Sequence, residues 1–524
     1  MAEYPAIFRS PKVPDVARSL TLRLRQDLDV LDDPIALDLL ADTVYRERLR
    51  FEEDGADERE LRDIDAGARA IAKGDRRSVD DAILGLVHSY AEEIHNPFST
   101  RAYGLATRVL PRALTNLVTA TDPRRLLTGD IDPARRIVVG GEVERVLALS
   151  KRATIILAPT HLSNLDSPLI GYVLHLVGLP PFAYGAGLNL FSNPMMAFWM
   201  SRLGAYTVDR RKRGRLYKDV LKAYSTEVLS RGFHSLFFPG GTRSRSGRVE
   251  ASLKKGLLGT GLKAWQENLA RGTSEPDVFV VPLNLSTSLV LEAETLIRDS
   301  LAREGKQRYI IGDDEFSRPR TVASYLSRVA NLDEAIHVVF GQPLDCMGNP
   351  VNDDGVSIGP NGSTIDRTRY VTASDGSIQW DAQRDRVYTA RLARSIVRSF
   401  FRDNVALSTH LAAFCGWEEL RSHHRHLDTW RLVRVDPTHR ILDRGAVLKR
   451  IHRVMAVLRT MAAQDRVRVS LPESAEGVLE TAIARFGSFH TRPALRHSGG
   501  ALLVDPELLL FYRNRLVGYD LETA

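Results

Sequence analysis

His161 and Asp166 stand five residues apart in APTHLSNLDSP, directly after the apolar run TIILAP. A histidine oriented by a carboxylate can serve as a general base. On one continuous helix, positions five apart diverge by about 140° at ~3.6 residues per turn. His161 must therefore lie in the turn before a helix if Asp166 is to reach it. Asp166-Ser167-Pro168 reads as a helix start, with Pro at the first helical position. In that arrangement Asp166 accepts the imidazole Nδ1–H and leaves Nε2 free to take a proton. Taken alone, such a pair is more often a turn histidine beside a capping aspartate, so the residues downstream decide.

Two arginine-bearing stretches follow. In SRLGAYTVDRRKRGRLYK, Arg210, Arg211, Lys212, Arg213, Arg215 and Lys218 come just after an apolar β-like run. A solvated basic helix start accounts for most of them, and Arg210, nearest the run, is the functional candidate. In FFPGGTRSRSGRV, two glycines allow a tight turn and close backbone approach to a ligand. Thr242, Ser244 and Ser246 then alternate with Arg243 and Arg245. Hydroxyls, backbone N–H groups and guanidinium forks in one loop suit bidentate binding of a phosphate monoester. Farther on, VVPLNLSTS supplies another strand end, where Pro282 shapes the exit and the strand supports the site wall.

The elements that must position these residues can be read from periodicity. Residues 1–135 read as a helical domain, with Ile83, Leu84, Leu86, Val87, Tyr90 and Ile94 on one stripe. The stretch RAYGLATRVLPRALTNLVTA carries Arg101, Arg108 and Arg112 and could lie in a membrane interface, but Pro111 interrupts it and favours a buried helix. Residues 136–345 change character. Runs at 154–159, 234–240, 278–285 and 336–344 read as strands, separated by helical patterns such as Leu216 to Leu229. That alternation predicts an α/β layer on a mostly parallel sheet, with functional residues where strands end. Residues 346–382 form a Gly-, Asp-, Asn- and Ser-rich excursion, and 383–524 return to mainly helical patterning with a small strand near 500–504.

The chain has 524 residues, 44% hydrophobic and 26% charged, with a net charge of +7. These values fit a soluble globular protein of about two to four domains with anionic partners. Cys346 and Cys415 are the only cysteines, so neither a disulfide framework nor a zinc pattern is expected. The N-terminus lacks the layout of a signal peptide. Ser167 to Ser201 contains no Asp, Glu, Lys or Arg, and ~20 apolar residues can span a bilayer. Pro180, Pro181, Pro194 and several glycines break it, however, into two short helices at roughly 168–178 and 194–203. The stretch reads either as protein core or as a surface for an acyl chain or membrane. Few aromatics interleave the basic cluster, which disfavours nucleic acid.

Taken in order, these blocks resemble the glycerolipid acyltransferase family, and most closely its glycerol-3-phosphate acyltransferase branch. His161 and Asp166 match its His-x4-Asp block. Gly204 to Arg210 match the second block, and Gly241, Thr242, Arg243, Ser244 and Arg245 match the third. Val281 and Pro282 match the Val-Pro strand. The resemblance implies an α/β acyltransferase domain that moves a fatty acyl group from acyl-CoA or acyl-carrier protein to the 1-hydroxyl of sn-glycerol 3-phosphate. It implies His161 and Asp166 as the catalytic pair. Arg210 and residues 241–245 would bind the substrate phosphate, with Gly204 and Pro282 supporting the site. No cofactor or metal is implied. A peripheral place on the anionic cytoplasmic face of the membrane is expected. Dihydroxyacetone phosphate and 1-acylglycerol 3-phosphate are the alternative acceptors. One departure stands out: the family's third block opens with glutamate, and here that position is Gly240. This implies either a substitute carboxylate or lowered activity, the extreme being an inactive anionic-lipid-binding protein.

Overall fold

The computed structural model describes residues 13–29, 31–107, 137–188, 194–304, 336–490 and 492–523. Arg108, Pro111 and Arg112 lie outside these. Four helices open the described chain: α1 (Val13–Asp29), α2 (Asp33–Asp54), α3 (Glu58–Lys73) and α4 (Arg76–Ile94). Asp57 and Glu60 close a reciprocal capping box at the start of α3. In α4, Ile83, Leu86, Val87, Tyr90 and Ile94 are buried, as their spacing predicts, while Leu84 is half-buried. Their stripe packs on Leu216, Tyr217 and Val220 of a later helix, with the Tyr90 and Tyr217 rings edge to face at 5.2 Å.

The central layer is a sheet in the order β1-β7-β6-β2-β5-β3-β4. Its strands are β1 (Ile137–Gly141), β2 (Thr154–Pro159), β3 (Ala183–Gly187), β4 (Ala205–Val208), β5 (Ser235–Leu236), β6 (Val278–Thr287) and β7 (Ile336–Phe340), with β8 (Leu344–Asp345) also paired to β6. Neighbours from β6 through β2, β5 and β3 to β4 all run parallel. β7 and β8 run antiparallel to β6, so the sheet is mostly, not wholly, parallel. β2 is buried at every position, and Thr154 to Pro159 pair with Val278 to Leu283. Buried strands of this kind read as continuous apolar runs, which is why TIILAP and VFVVPLNL are visible in the sequence.

Helices flank the sheet: α5 (Val143–Ser150), α6 (Asp166–Val177), α7 (Pro194–Arg202), α8 (Arg215–Ser230), α9 (Lys255–Ala270) and α10 (Ala293–Glu304). The charge-free stretch thus divides into α6, β3 and α7. The expected helices there are present, but β3 between them was hidden by its glycines. The run 234–240 differs more, since only Ser235 and Leu236 are strand. Phe237 N–H still donates to Leu157 O at 3.2 Å, after which the chain turns away at Pro239.

The remainder is mainly helical: α11 (Ala382–Arg402), α12 (Ser408–His423), α13 (Thr429–Leu432), α14 (Arg444–Ala463), α15 (Ala475–Phe489) and α16 (Pro506–Arg513). α12 is buried from Ser408 to Leu420 and forms the axis of this bundle. The small strand expected near 500–504 is Ala501–Val504, paired with Leu495–Ser498 and Ile441–Asp443. The excursion after β8 contains a short pairing of Ser357–Ile358 with Thr364–Ile365.

Candidate active site

Parallel strands deliver their carboxyl ends to one edge of a sheet, and loops from that edge meet. His161 follows β2, Arg210 follows β4, the Arg243 loop follows β5, and Glu292 follows β6. Segments far apart in the chain therefore converge because their strands share one direction.

His161 lies in the turn between β2 and α6. Its Nδ1 is 2.9 Å from Asp166 Oδ2, which also accepts the backbone N–H groups of Leu162 at 2.6 Å and Ser163 at 2.9 Å. A carboxylate only accepts, so Nδ1 carries the hydrogen and Nε2 of the neutral ring keeps its lone pair. Nε2 makes no hydrogen bond among the described residues. The ring stacks on Phe238, with centroids 3.9 Å apart and planes 20° from parallel. Helix α6 begins two residues earlier than the Pro168 signal predicts, at Asp166 itself. Asp166 consequently holds the turn upstream instead of capping its own helix. On the other side, Thr160 anchors the turn to β6: its N–H donates to Leu283 O, and its hydroxyl accepts Leu285 N–H at 3.0 Å. Pro282 sits within β6 opposite Ala158, and its carbonyl accepts Gly341 N–H.

The third-block loop is tied directly to this turn, because Ser244 N–H donates to His161 O at 2.7 Å. Ser244 Oγ donates to Arg248 O, so its hydroxyl is committed within the loop. Gly241 takes a φ of +78°, a conformation side chains resist, and Thr242 beside it is exposed. At Gly247 a Cβ would overlap the Phe511 carbonyl oxygen, so only glycine lets the loop seat on α16. Asn514 Nδ2 donates to Ser246 O at 2.8 Å from the same side.

The three expected arginines come within electrostatic reach of one another. Arg243 Nη1 donates to Glu292 at 3.1 Å. Arg245 forms an ion pair with the buried Asp299. Arg210 is exposed just beyond β4, whereas Gly204, with its positive φ, sits at the opposite, entrance end of that strand against Phe182 and Ala183. Loss of hydration together with the Arg243 charge lowers the Arg210 pKa from its ordinary value. The same happens at Arg245, where desolvation and the charges of Arg303, Arg243 and Arg210 outweigh Asp299. Like charges held together lower their energy by binding an anion. In the rest of the basic cluster, Arg211 pairs with Asp209, Lys212 with Glu93 and Glu60, and Arg215 with Asp219, while Arg213 and Lys218 are exposed.

Sequence reasoning missed three charged residues here. Glu292 is fully buried: one oxygen accepts the Ser163 hydroxyl at 2.7 Å, and the other accepts Asn164 N–H at 3.0 Å as well as Arg243. Glu250 Oε1 accepts the backbone N–H of His161 at 2.8 Å. Burial pushes both carboxyls up to about 7. Arg515, buried beneath them, donates to Leu285 O and Asn404 Oδ1 and places a positive charge near Glu250. Available signals were an acid inside the otherwise basic segment 243–255, and another directly after the apolar run SLVL. Among the described residues no group of three or more His, Cys, Asp or Glu could hold a metal ion, and no helix is long and apolar enough to cross a membrane.

Residues 141–286 match the family model described as Acyltransferase, a span holding every block from His161 to Pro282. The chain is 32% identical over 206 residues to a protein of Histophilus somni (strain 129Pt) named glycerol-3-phosphate acyltransferase, covering 36% of this chain and 24% of that protein. A protein of the same name from Pasteurella multocida (strain Pm70) is 30% identical over 225 residues, 43% of this chain and 26% of its own length. The similarity thus spans about a quarter of each of these relatives.

Proposed function

We propose, from the match of residues 141–286 to the Acyltransferase family model, that the chain transfers a fatty acyl group from a thioester donor to the 1-hydroxyl of sn-glycerol 3-phosphate. The observation that carries this reading is the gathering of Arg210, Arg243 and Arg245 around the turn that holds His161 against Asp166. A base alone would accept many alcohols. A base beside a cationic cluster selects an alcohol that carries phosphate.

In this mechanism His161 Nε2 takes the proton of the 1-hydroxyl as that oxygen attacks the thioester carbonyl. Asp166 steadies the imidazolium that results. When the tetrahedral intermediate collapses, the carbon–sulfur bond breaks and the thiolate recovers the proton from His161. The products are 1-acylglycerol 3-phosphate and the free thiol of coenzyme A or acyl-carrier protein. General base catalysis contributes roughly 10²–10⁴-fold, and holding the phosphate so that the hydroxyl meets Nε2 can contribute up to ~7–11 kcal/mol. Arg210 with the 241–245 loop takes that holding role, supported by Gly204 and Pro282. The charge-free stretch, with exposed Leu176 and Phe198, offers apolar surface for the acyl chain or for peripheral contact with an anionic membrane.

The test offers purified protein labelled glycerol 3-phosphate, 1-acylglycerol 3-phosphate and dihydroxyacetone phosphate in turn, each with acyl-CoA and with acyl-carrier protein. Fastest turnover with glycerol 3-phosphate is expected. Preference for another acceptor would reassign the substrate, and transfer to none of them would overturn the proposal.

A further inference from the structure

Gly240 stands where the family's third block carries an acid, yet a carboxylate is present at that place in space. A Cβ built on Gly240 would lie 3.3 Å from both Glu250 Cγ and Glu250 Oε1. The Glu250 carboxyl therefore fills the volume into which a side chain at 240 would project. We propose that Glu250 is the positioning residue for His161 in this chain, supplying from ten residues downstream the carboxylate that Gly240 lacks. The inference rests on the acyl-transfer reading above.

The geometry gives this acid a specific task. Glu250 Oε1 accepts the His161 backbone N–H at 2.8 Å, while the His161 carbonyl accepts Ser244 N–H at 2.7 Å. Both backbone groups of the base are thus clamped by the segment 244–250. Together with the Nδ1 bond to Asp166, these contacts hold the main chain and ring of His161. The second oxygen, Oε2, is buried and has no hydrogen-bond partner among the described residues. An enclosed carboxylate left half satisfied costs stability, so packing alone gives no reason for one here. An alanine at 250 would leave the His161 N–H equally unsatisfied. Gly240 has room to accept the exchange, since its φ is not in the left-handed region and the other atom near a Cβ is Thr242 O at 3.6 Å.

The experiment is a carboxylate relocation: Glu250→Ala, Glu250→Gln, and the double variant Gly240→Glu with Glu250→Ala, each compared with the unaltered chain. Glu250→Ala is expected to lower kcat by roughly 10–100-fold, because a base misplaced by ~1 Å can cost ~10²-fold. KM for the phosphorylated acceptor should stay nearly unchanged, since the arginines are untouched. Glu250→Gln keeps the shape and an acceptor oxygen, guards against a folding failure of the alanine variant, and should retain most of kcat. The double variant should recover most of what the alanine variant loses. Wild-type kcat in Glu250→Ala, or a folded double variant no faster than the single one, would overturn the proposal. Hydrogen exchange at the His161 amide reads the clamp independently of turnover. Faster exchange in Glu250→Ala and restored protection in the double variant support the positioning role even if the unaltered chain transfers no acyl group. Unchanged exchange in Glu250→Ala refutes it.

Discussion

Arg243 donates to Glu292 Oε1 at 3.1 Å, and the same oxygen accepts the backbone N–H of Asn164 three residues after His161. One buried carboxylate therefore joins the cationic cluster to the turn that carries His161. Releasing it should disturb both. Glu292→Ala is expected to lower kcat/KM by ~10²-fold, a loss comparable to misplacing a reacting group, and Glu292→Gln should lose less because it keeps one acceptor oxygen. Steady-state kinetics on both variants checks this; values within twofold of wild type for each would remove Glu292 from the site.

His161→Ala should abolish acyl transfer with the circular dichroism spectrum and melting temperature intact. Asp166→Asn is more discriminating. All three donors that reach Asp166 converge on Oδ2, so an amide oxygen in that place can keep every bond while losing the charge that stabilises an imidazolium. The expected outcome is a kcat loss of roughly 10²–10⁴-fold with little change in Tm, whereas Asp166→Ala should lower Tm as well. Equal Tm losses in the two variants would contradict this division of labour.

Arg210 and Arg243 should behave differently when removed. Arg210 is exposed, so Arg210→Ala should raise KM for glycerol 3-phosphate and leave Tm unchanged or slightly raised as repulsion is relieved. Arg243→Ala should raise KM too, but it strips the cation from buried Glu292 and should lower Tm, increasingly so at higher pH. Melting curves from pH 6 to 8 alongside the kinetics separate the two; an unchanged KM in either variant excludes that arginine from phosphate binding.

The pH dependence of stability follows from Glu250 and Glu292, both raised from 4.5 to about 7 by burial. A raised acid favours the protonated form in the fold. Its stabilising contribution is complete below about 4.5 and is lost as pH climbs through about 7. Glu250→Gln cannot ionise, so it should flatten the fall in stability across that window and gain on wild type above it. Denaturant midpoints at pH 5 and pH 8 test the sign; a variant that falls as steeply as wild type would show that Glu250 is not the titrating group.

Legibility in the sequence tracked how local each relationship is. His161 and Asp166 could be placed from spacing alone, since five residues and a helix start leave few geometries. Buried strands such as TIILAP announced themselves because both faces are covered. β3, written AYGAG, did not, because its small residues and glycines resemble a loop. Arg210, Arg243 and Arg245 were nameable from the order of blocks, but not their bond partners, which depend on tertiary approach. Glu250 lies 89 positions from the amide it holds, and no local pattern encodes that meeting. Arg515 is more distant still. Its segment reads as a helix end, and its burial under the base is visible only once the sheet has brought β6 beside β2.

The contact between Ser246 and Asn514 joins positions 268 apart, and Gly247 rests on the main chain of Phe511. Synthesis proceeds from the amino terminus, so His161, Asp166 and the arginine loop leave the ribosome long before the segment that braces them. Chains tend to fold in that same order. The nascent protein can build its sheet early while the loop at 241–247 still lacks its backing. The bracing of the loop beside His161 should then be completed late, when α16 docks.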